Sequence, residues 1–259
     1  MGGKKYLVLR GERFLNFFTY AKMKRKGGDL ILNWRETFDL IVKMRSKRDA
    51  PVDNMGCERL ADPEGSNEKD FRFGTLVALM LSSQTKDQVT AEAFKKLSLA
   101  CPEGRISVQS IRELDSTILN EAISKVGFHR KKTDYIKKTA DILATGYDND
   151  IPRSVEELVK LPGVGSKMAY LAMNCAWKEN TGIGVDVHVH RISNRIGWCR
   201  GTKNPEETRL ALEELIPSDL WIETNPLLVG FGQTICLPRN PQCDKCLLAD
   251  SCPSRNVKK

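Results

Sequence analysis

The sequence predicts an all-α fold. Three observations carry that prediction. Apolar residues recur at the helical period through most of the chain, as in LILNWRETFDLIV and SKMAYLAMNCAW. No alternating polar–apolar run is long enough to build a sheet. Gly, Pro or an Asp/Asn cluster separates each periodic stretch from the next.

At 259 residues the chain can bury a sizeable core and has room for two lobes. Its 41 Lys and Arg against 33 Asp and Glu give a formal net charge of +8. That balance suits a polyanion such as nucleic acid, and equally a cationic protein with no such partner. No run of eighteen apolar residues is present, so no membrane span is expected. The opening MGGKKYLVLRGERF lacks an apolar core segment and a small-residue cleavage site, so no secretory signal is expected. Tyr6 argues against myristoylation at Gly2.

Residues 1–29 read as a basic arm, either a targeting segment or a solvated tail. Ile31, Trp34, Phe38, Ile41 and Val42 then fall on one helix, residues 30–48. Residues 49–70, rich in Pro, Gly, Asp and Asn, read as a loop. TLVALMLSS, residues 75–83, is the most apolar run and predicts a buried central helix. DQVTAEAFKKLSLA, VQSIRELDSTILNEAISKV, HRKKTDYIKKTADILAT, SVEELVKL and SKMAYLAMNCAWKEN each predict a further helix. This array runs from near Phe71 to near Gly182, and the last seventy residues add helices before a group of cysteines.

The junction LPGVGSKMA, residues 161–169, is the first candidate site. Ser154 and Glu157 predict a capping box at the helix before it, and Pro162 and Gly163 stop that helix. Gly165 and Ser166 open the next, which is expected to run to about Asn180. The turn Gly163, Val164, Gly165 leaves backbone N–H groups unpaired, and its glycines let a phosphate oxygen reach them. A plain tight corner between helices fits the same residues. Lys167 lies in the first turn of the second helix, where a cation sits poorly against the helix dipole. It fits a nucleophilic amine or a surface lysine that steers phosphate. TGIGVD then has about six residues to return along a helix of roughly 20 Å, which an extended chain can do. Asp186 can therefore lie beside Lys167 as an acid/base partner, and can also cap the helix HVHRISNRIGW.

Of eight cysteines, Cys57, Cys101, Cys175 and Cys199 are scattered and read as core. Cys236, Cys243, Cys246 and Cys252 are spaced by six, two and five residues, with no histidine nearby. Zinc sites more often show two short pairs across a longer gap, so this run fits one loop around an iron–sulfur cluster better than zinc or buried thiols. His188 and His190, two residues apart, are poor co-ligands and read as hydrogen-bonding or DNA-side residues.

LPGVGSKMA followed by GVDVH resembles the helix-hairpin-helix DNA glycosylases. The cysteine spacing and LSSQTKD, residues 81–87, resemble the endonuclease III branch, most of all its eukaryotic members. The likeness covers roughly residues 30–252. It implies two helical lobes with a DNA-binding cleft between them. One is a six-helix barrel at 71–182, with the hairpin at about 154–178. The other joins residues 30–70 to the C-terminal helices and cluster loop at 183–252, leaving a basic tail at 253–259. It implies excision of oxidised pyrimidines from double-stranded DNA, then strand cleavage by β-elimination, by a monomer carrying a 4Fe-4S cluster on Cys236, Cys243, Cys246 and Cys252. Lys167 would form the Schiff base and Asp186 would be the essential aspartate. Gln84 would fill the space left by the flipped nucleotide, and Phe128, in KVGFHRKK, would act as an apolar wedge. His188, Arg239 and Lys245 would lie toward DNA, although LPRNPQ carries only Arg239 where relatives hold more basic residues. The implied compartment is the nucleus, with the mitochondrion second. A mismatch glycosylase is disfavoured by Lys167 and by the end of the chain just after Cys252. Lys167 with Asp186 disfavours a non-catalytic binding module. An electron-transfer protein lacks a partner cofactor motif.

Overall fold

The computed structural model describes residues 33–61, 67–199 and 201–255. The basic arm, Ile31 and residues 256–259 lie outside them. The described residues are helical, with no strand among them. No helix among them is long and apolar enough to cross a membrane. The helices are α1 (Trp34–Met44), α2 (Pro51–Met55), α3 (Cys57–Leu60), α4 (Glu68–Ser82), α5 (Asp87–Ala100), α6 (Val108–Glu113) and α7 (Ser116–Ala122). They continue as α8 (His129–Gly146), α9 (Val155–Leu158), α10 (Ser166–Ala172), α11 (Val187–Arg195), α12 (Pro205–Leu215) and α13 (Trp221–Thr234).

Two hydrophobic cores organise them. The first surrounds α4, in which every residue from Phe73 to Leu81 is buried. A helix buried on all faces belongs at the centre of a bundle. Leu97 of α5, Ile111 of α6, Leu119 of α7, Ile136 of α8, Leu158 of α9 and Ala169 of α10 close around it. The second core joins Trp34, Phe38 and Ile41 of α1 to Val189 and Ile192 of α11, Leu212 of α12 and Leu228 and Phe231 of α13. Each large apolar side chain buried this way contributes about 1.5–3 kcal/mol against exposure. A polar link ties the cores together. Asp87, opening α5, accepts from Gln233 Nε2 of α13 at 2.7 Å, and Gln233 Oε1 accepts from Val52 N of α2 at 3.0 Å.

Several local expectations are corrected. Residues 51–60, read as loop, form α2 and α3, and Cys57 and Leu60 pack on the first core. The array therefore begins before Phe71. The single helix expected over 108–126 breaks in two because Asp115 turns its carboxylate onto Thr117 N at 2.7 Å and starts α7. Val42 is exposed and off the buried face of α1. The helix expected to reach Asn180 ends at Trp177 in a π-helical turn, after which Lys178 reverses the chain at φ +56°. Ser154 caps Glu157 N at 3.2 Å, but no capping box forms: the Glu157 carboxylate turns to Tyr147 Oη and Lys160. Of the scattered cysteines, Cys101 and Cys199 are buried, whereas Cys57 and Cys175 are half-buried.

Candidate active site

The hairpin between α9 and α10 shows which glycines the turn needs. Gly163 has φ +78°, and a Cβ there would meet Tyr135 Cδ2 at 2.4 Å. Conformation and packing both demand glycine. Gly165 opens α10 with nothing within 4 Å of where a Cβ would sit, so open space lies beside it. The N–H groups of Gly165, Ser166 and Lys167 have no backbone acceptor among the described residues, as expected at a helix start. Val164 differs from the sequence expectation. Its side chain is buried and its N–H donates to Leu161 O at 3.1 Å, so neither is available to an anion.

Lys167 is half-buried in the first turn of α10, and its Nζ has no ion pair or hydrogen bond among the described residues. The segment after Lys178 returns antiparallel to α10. Asn174 Nδ2 donates to Gly182 O at 3.1 Å. A Cβ on Gly184 would strike Leu171 Cδ2 at 2.5 Å, so only glycine lets the segment lie so close. Asn225 Nδ2 and the Glu213 carboxylate hold Gly184 O and Ile183 N at 2.5 and 2.8 Å. From that contact, two extended residues cover about 6.6 Å to Asp186. Four helical residues cover about 6 Å back to Lys167. The two side chains are thus brought level. His188 reports the same proximity: burial lowers its pKa, Asp186 and Asp87 oppose that, and Arg191 and Lys167 add to it. Asp186 also caps α11, its Oδ1 accepting from Val189 N at 2.8 Å. Its second oxygen takes no hydrogen bond among the described residues, so both roles read from the sequence are compatible. His188 itself lies against Gly232 and within 3.3 Å of Arg191 Nη2. His190 bonds Thr208 Oγ1 at 2.7 Å inside the second lobe.

Gln84 and Phe128, far apart in sequence, stand together. Gln84 is exposed at φ +52°, and Phe128 is 60% exposed at φ +58°. Between them, a Cβ on Gly127 would meet Gln84 O at 2.9 Å, and Gly127 N donates to Thr85 Oγ1 at 3.3 Å. An exposed aromatic in left-handed backbone is held against solvation and conformational preference, which marks a contact surface.

Residues 77–218 match the model of the HhH-GPD superfamily base excision DNA repair protein. The chain belongs to that superfamily. The Endonuclease III homolog of Schizosaccharomyces pombe is 52% identical over 224 residues, 86% of this chain and 62% of that one, so the chain spans less than two thirds of that relative. The Endonuclease III-like protein 1 of Gallus gallus is 52% identical over 223 residues, covering 86% of this chain and 78% of that one. The structure titled a non-covalent Endonuclease III-DNA complex superposes with a TM-score of 0.72 at 30% identity, covering 85% of this chain and 94% of that chain. These are relatives among base excision DNA repair enzymes, the DNA glycosylases.

In this chain Cys236, Cys243, Cys246 and Cys252 line one small cavity, part of it open to solvent. Phe231, Ile235 and Leu248 make its wall apolar. Among the described residues no three His, Cys, Asp or Glu side chains converge closely enough to hold one metal ion. The thiols ring a space instead of a point. Burial pushes Cys246 up to about 11 and raises Cys252, and the neighbouring thiols add to both. Thiols raised in this way become thiolates only beside positive charge. Arg195 of α11 places Nη1 3.7 Å from Cys236 Sγ and donates to Leu237 O at 2.7 Å, while Arg191 donates to Cys236 O at 2.9 Å. The helix capped by Asp186 therefore also grips the cysteine loop. Arg239 and Lys245 are exposed, and neither forms an ion pair with a described residue.

Two contributors escaped the sequence reading. Asp87 joins the electrostatic neighbourhood of His188 and bonds Gln233. Lys132, only 6% exposed, donates to Leu81 O and Ser83 O at 2.8 and 2.6 Å, beneath the Gln84 loop. Nothing in the local pattern of KVGFHRKK separates this lysine from its solvated neighbours.

Proposed function

We propose that the chain is a bifunctional DNA glycosylase and abasic-site lyase that excises oxidised pyrimidines from duplex DNA. The observation that supports this reading is the extended segment that returns along α10 toward Lys167 and ends at Asp186. The duplex would lie between the lobes built on the two cores, the first of which takes in α3 as well as residues 71–182. The hairpin N–H groups would hold a phosphate.

A stacked base hides C1′, so the nucleotide must leave the helix, and a damaged base leaves at lower cost. Phe128 would wedge the gap and Gln84 would fill it. Lys167 Nζ, as the free amine, attacks C1′ while the C1′–N bond breaks and the base departs with the electron pair. Asp186 accepts the proton lost from Nζ, and its charge offsets the cationic character at C1′. Ring opening leaves an imine between Nζ and C1′. The imine acidifies the C2′ hydrogen, whose loss expels the 3′-phosphate and nicks the strand.

Cys236, Cys243, Cys246 and Cys252 would hold a 4Fe-4S cluster, whose iron would stabilise the four thiolates and tie the C-terminal loop to α11. The spacing of six, two and five residues, with all four thiols on one cavity, supports a cluster over a single zinc ion. We expect iron and acid-labile sulfide at about four atoms each per chain, the complement of one 4Fe-4S cluster. Zinc without sulfide would overturn that assignment.

Borohydride reduction during reaction with a thymine glycol duplex tests the reaction. The native chain is expected to release the base and to form a covalent protein–DNA adduct. Base release without an adduct would make the enzyme monofunctional. Bound DNA with neither release nor adduct would leave only a binding module.

A further inference from the structure

We propose that Lys132 is a positioning residue that locks Gln84 to the helix carrying Phe128, so that plug and wedge enter DNA as one preformed unit.

Phe128 immediately precedes α8 as its N-cap, in left-handed backbone, and Lys132 and Tyr135 share one face of the helix. Phe128, at its start, is exposed. Tyr135 packs on Gly163 of the hairpin. Lys132, between them, is buried and reaches across to the end of α4, where two carbonyls have run out of helical donors. Among the described residues no carboxylate pairs with it, and burial lowers its pKa to about 8. A cation buried without a counter-ion weakens stability unless its bonds accomplish something else. The bonds it makes are to Leu81 O and Ser83 O, at the base of the turn that carries Gln84 in left-handed backbone. Gly127 closes the other side of the same turn, its amide on Thr85 Oγ1 and its Cα against Gln84 O. Removing the amine would free the turn to relax its strained residue and would uncouple Gln84 from Phe128. Catalytic geometry is sensitive at this scale, since a misplacement of about 1 Å can cost about a hundredfold.

The inference rests on the glycosylase reading and is tested so that the two can fail separately. Lys132→Met and Lys132→Gln would be assayed under single turnover on two duplexes of identical sequence. One carries thymine glycol, which must be unstacked. The other carries a preformed abasic site, which has no base to extrude. Lys132→Met is expected to slow excision by about ten- to hundredfold while strand cleavage at the abasic site changes less than about threefold. Lys132→Gln, whose amide can still donate to one carbonyl, is expected to recover part of the loss. A 2-aminopurine beside the lesion should show reduced unstacking in Lys132→Met. Equal loss on both duplexes would mean general damage to the fold and would overturn the positioning role, as would no loss on either. A native chain inactive on both duplexes would instead overturn the glycosylase reading, and this inference with it.

Discussion

Lys167→Ala is expected to yield no borohydride-trapped adduct and to lower excision by on the order of 10⁴- to 10⁶-fold, as removal of a nucleophile does elsewhere. DNA affinity should change little, because the anion-binding groups of the hairpin are backbone N–H groups that alanine retains. The fold should be unaffected as well, since Lys167 Nζ makes no ion pair or hydrogen bond among the described residues. Retained binding with lost chemistry is the signature of a nucleophile, whereas a phosphate-steering lysine would lose affinity and salt dependence instead. An adduct that survives in the alanine variant would move the nucleophile to another amine and sink the assignment.

Asp186→Asn separates two jobs done by one side chain. Asn caps a helix as well as Asp does, so the bond from Val189 N should persist and thermal stability should hold. Base excision should nevertheless fall by roughly 10²- to 10⁴-fold, because the amide neither accepts the proton nor opposes positive charge at C1′. Asp186→Ala should lose the same chemistry and, in addition, about 1 kcal/mol of stability from the missing cap. Melting curves and single-turnover rates on both variants check the split. An asparagine variant with native rates would leave Asp186 as a helix cap alone.

Lys167, Asp186 and the cysteine group were legible because each belongs to a short motif whose chemistry depends on local spacing. Gly163 of the hairpin was equally legible, since a turn of left-handed backbone restricts residue choice wherever it occurs. Val164 was misread because whether a turn residue faces in or out depends on what packs beneath it. The break before Asp115 was missed because the helical period of VQSIRELDSTILNEAISKV continues through it, while a single carboxylate–amide bond ends it. Lys132 and the link from Asp87 to Gln233 were illegible for a stronger reason. Their partners lie 49 to 51 and 146 residues away, and nothing in either local stretch records them.

By itself the sequence determined the helical class, the hairpin, the amine and carboxylate that can meet beside it, and four thiols close enough for one loop. Those features depend on residue types within one short stretch of chain, where period, turn chemistry and spacing act directly. Only the tertiary structure decided that α3 packs on the first core while α1 joins the second, and that Gln84 and Phe128 stand side by side. It also brought the returning segment against α10, with Gly182 on Asn174 and Gly184 on Leu171. Each of these is a long-range contact, made where burial of apolar surface and close packing outweigh the entropy of ordering the chain.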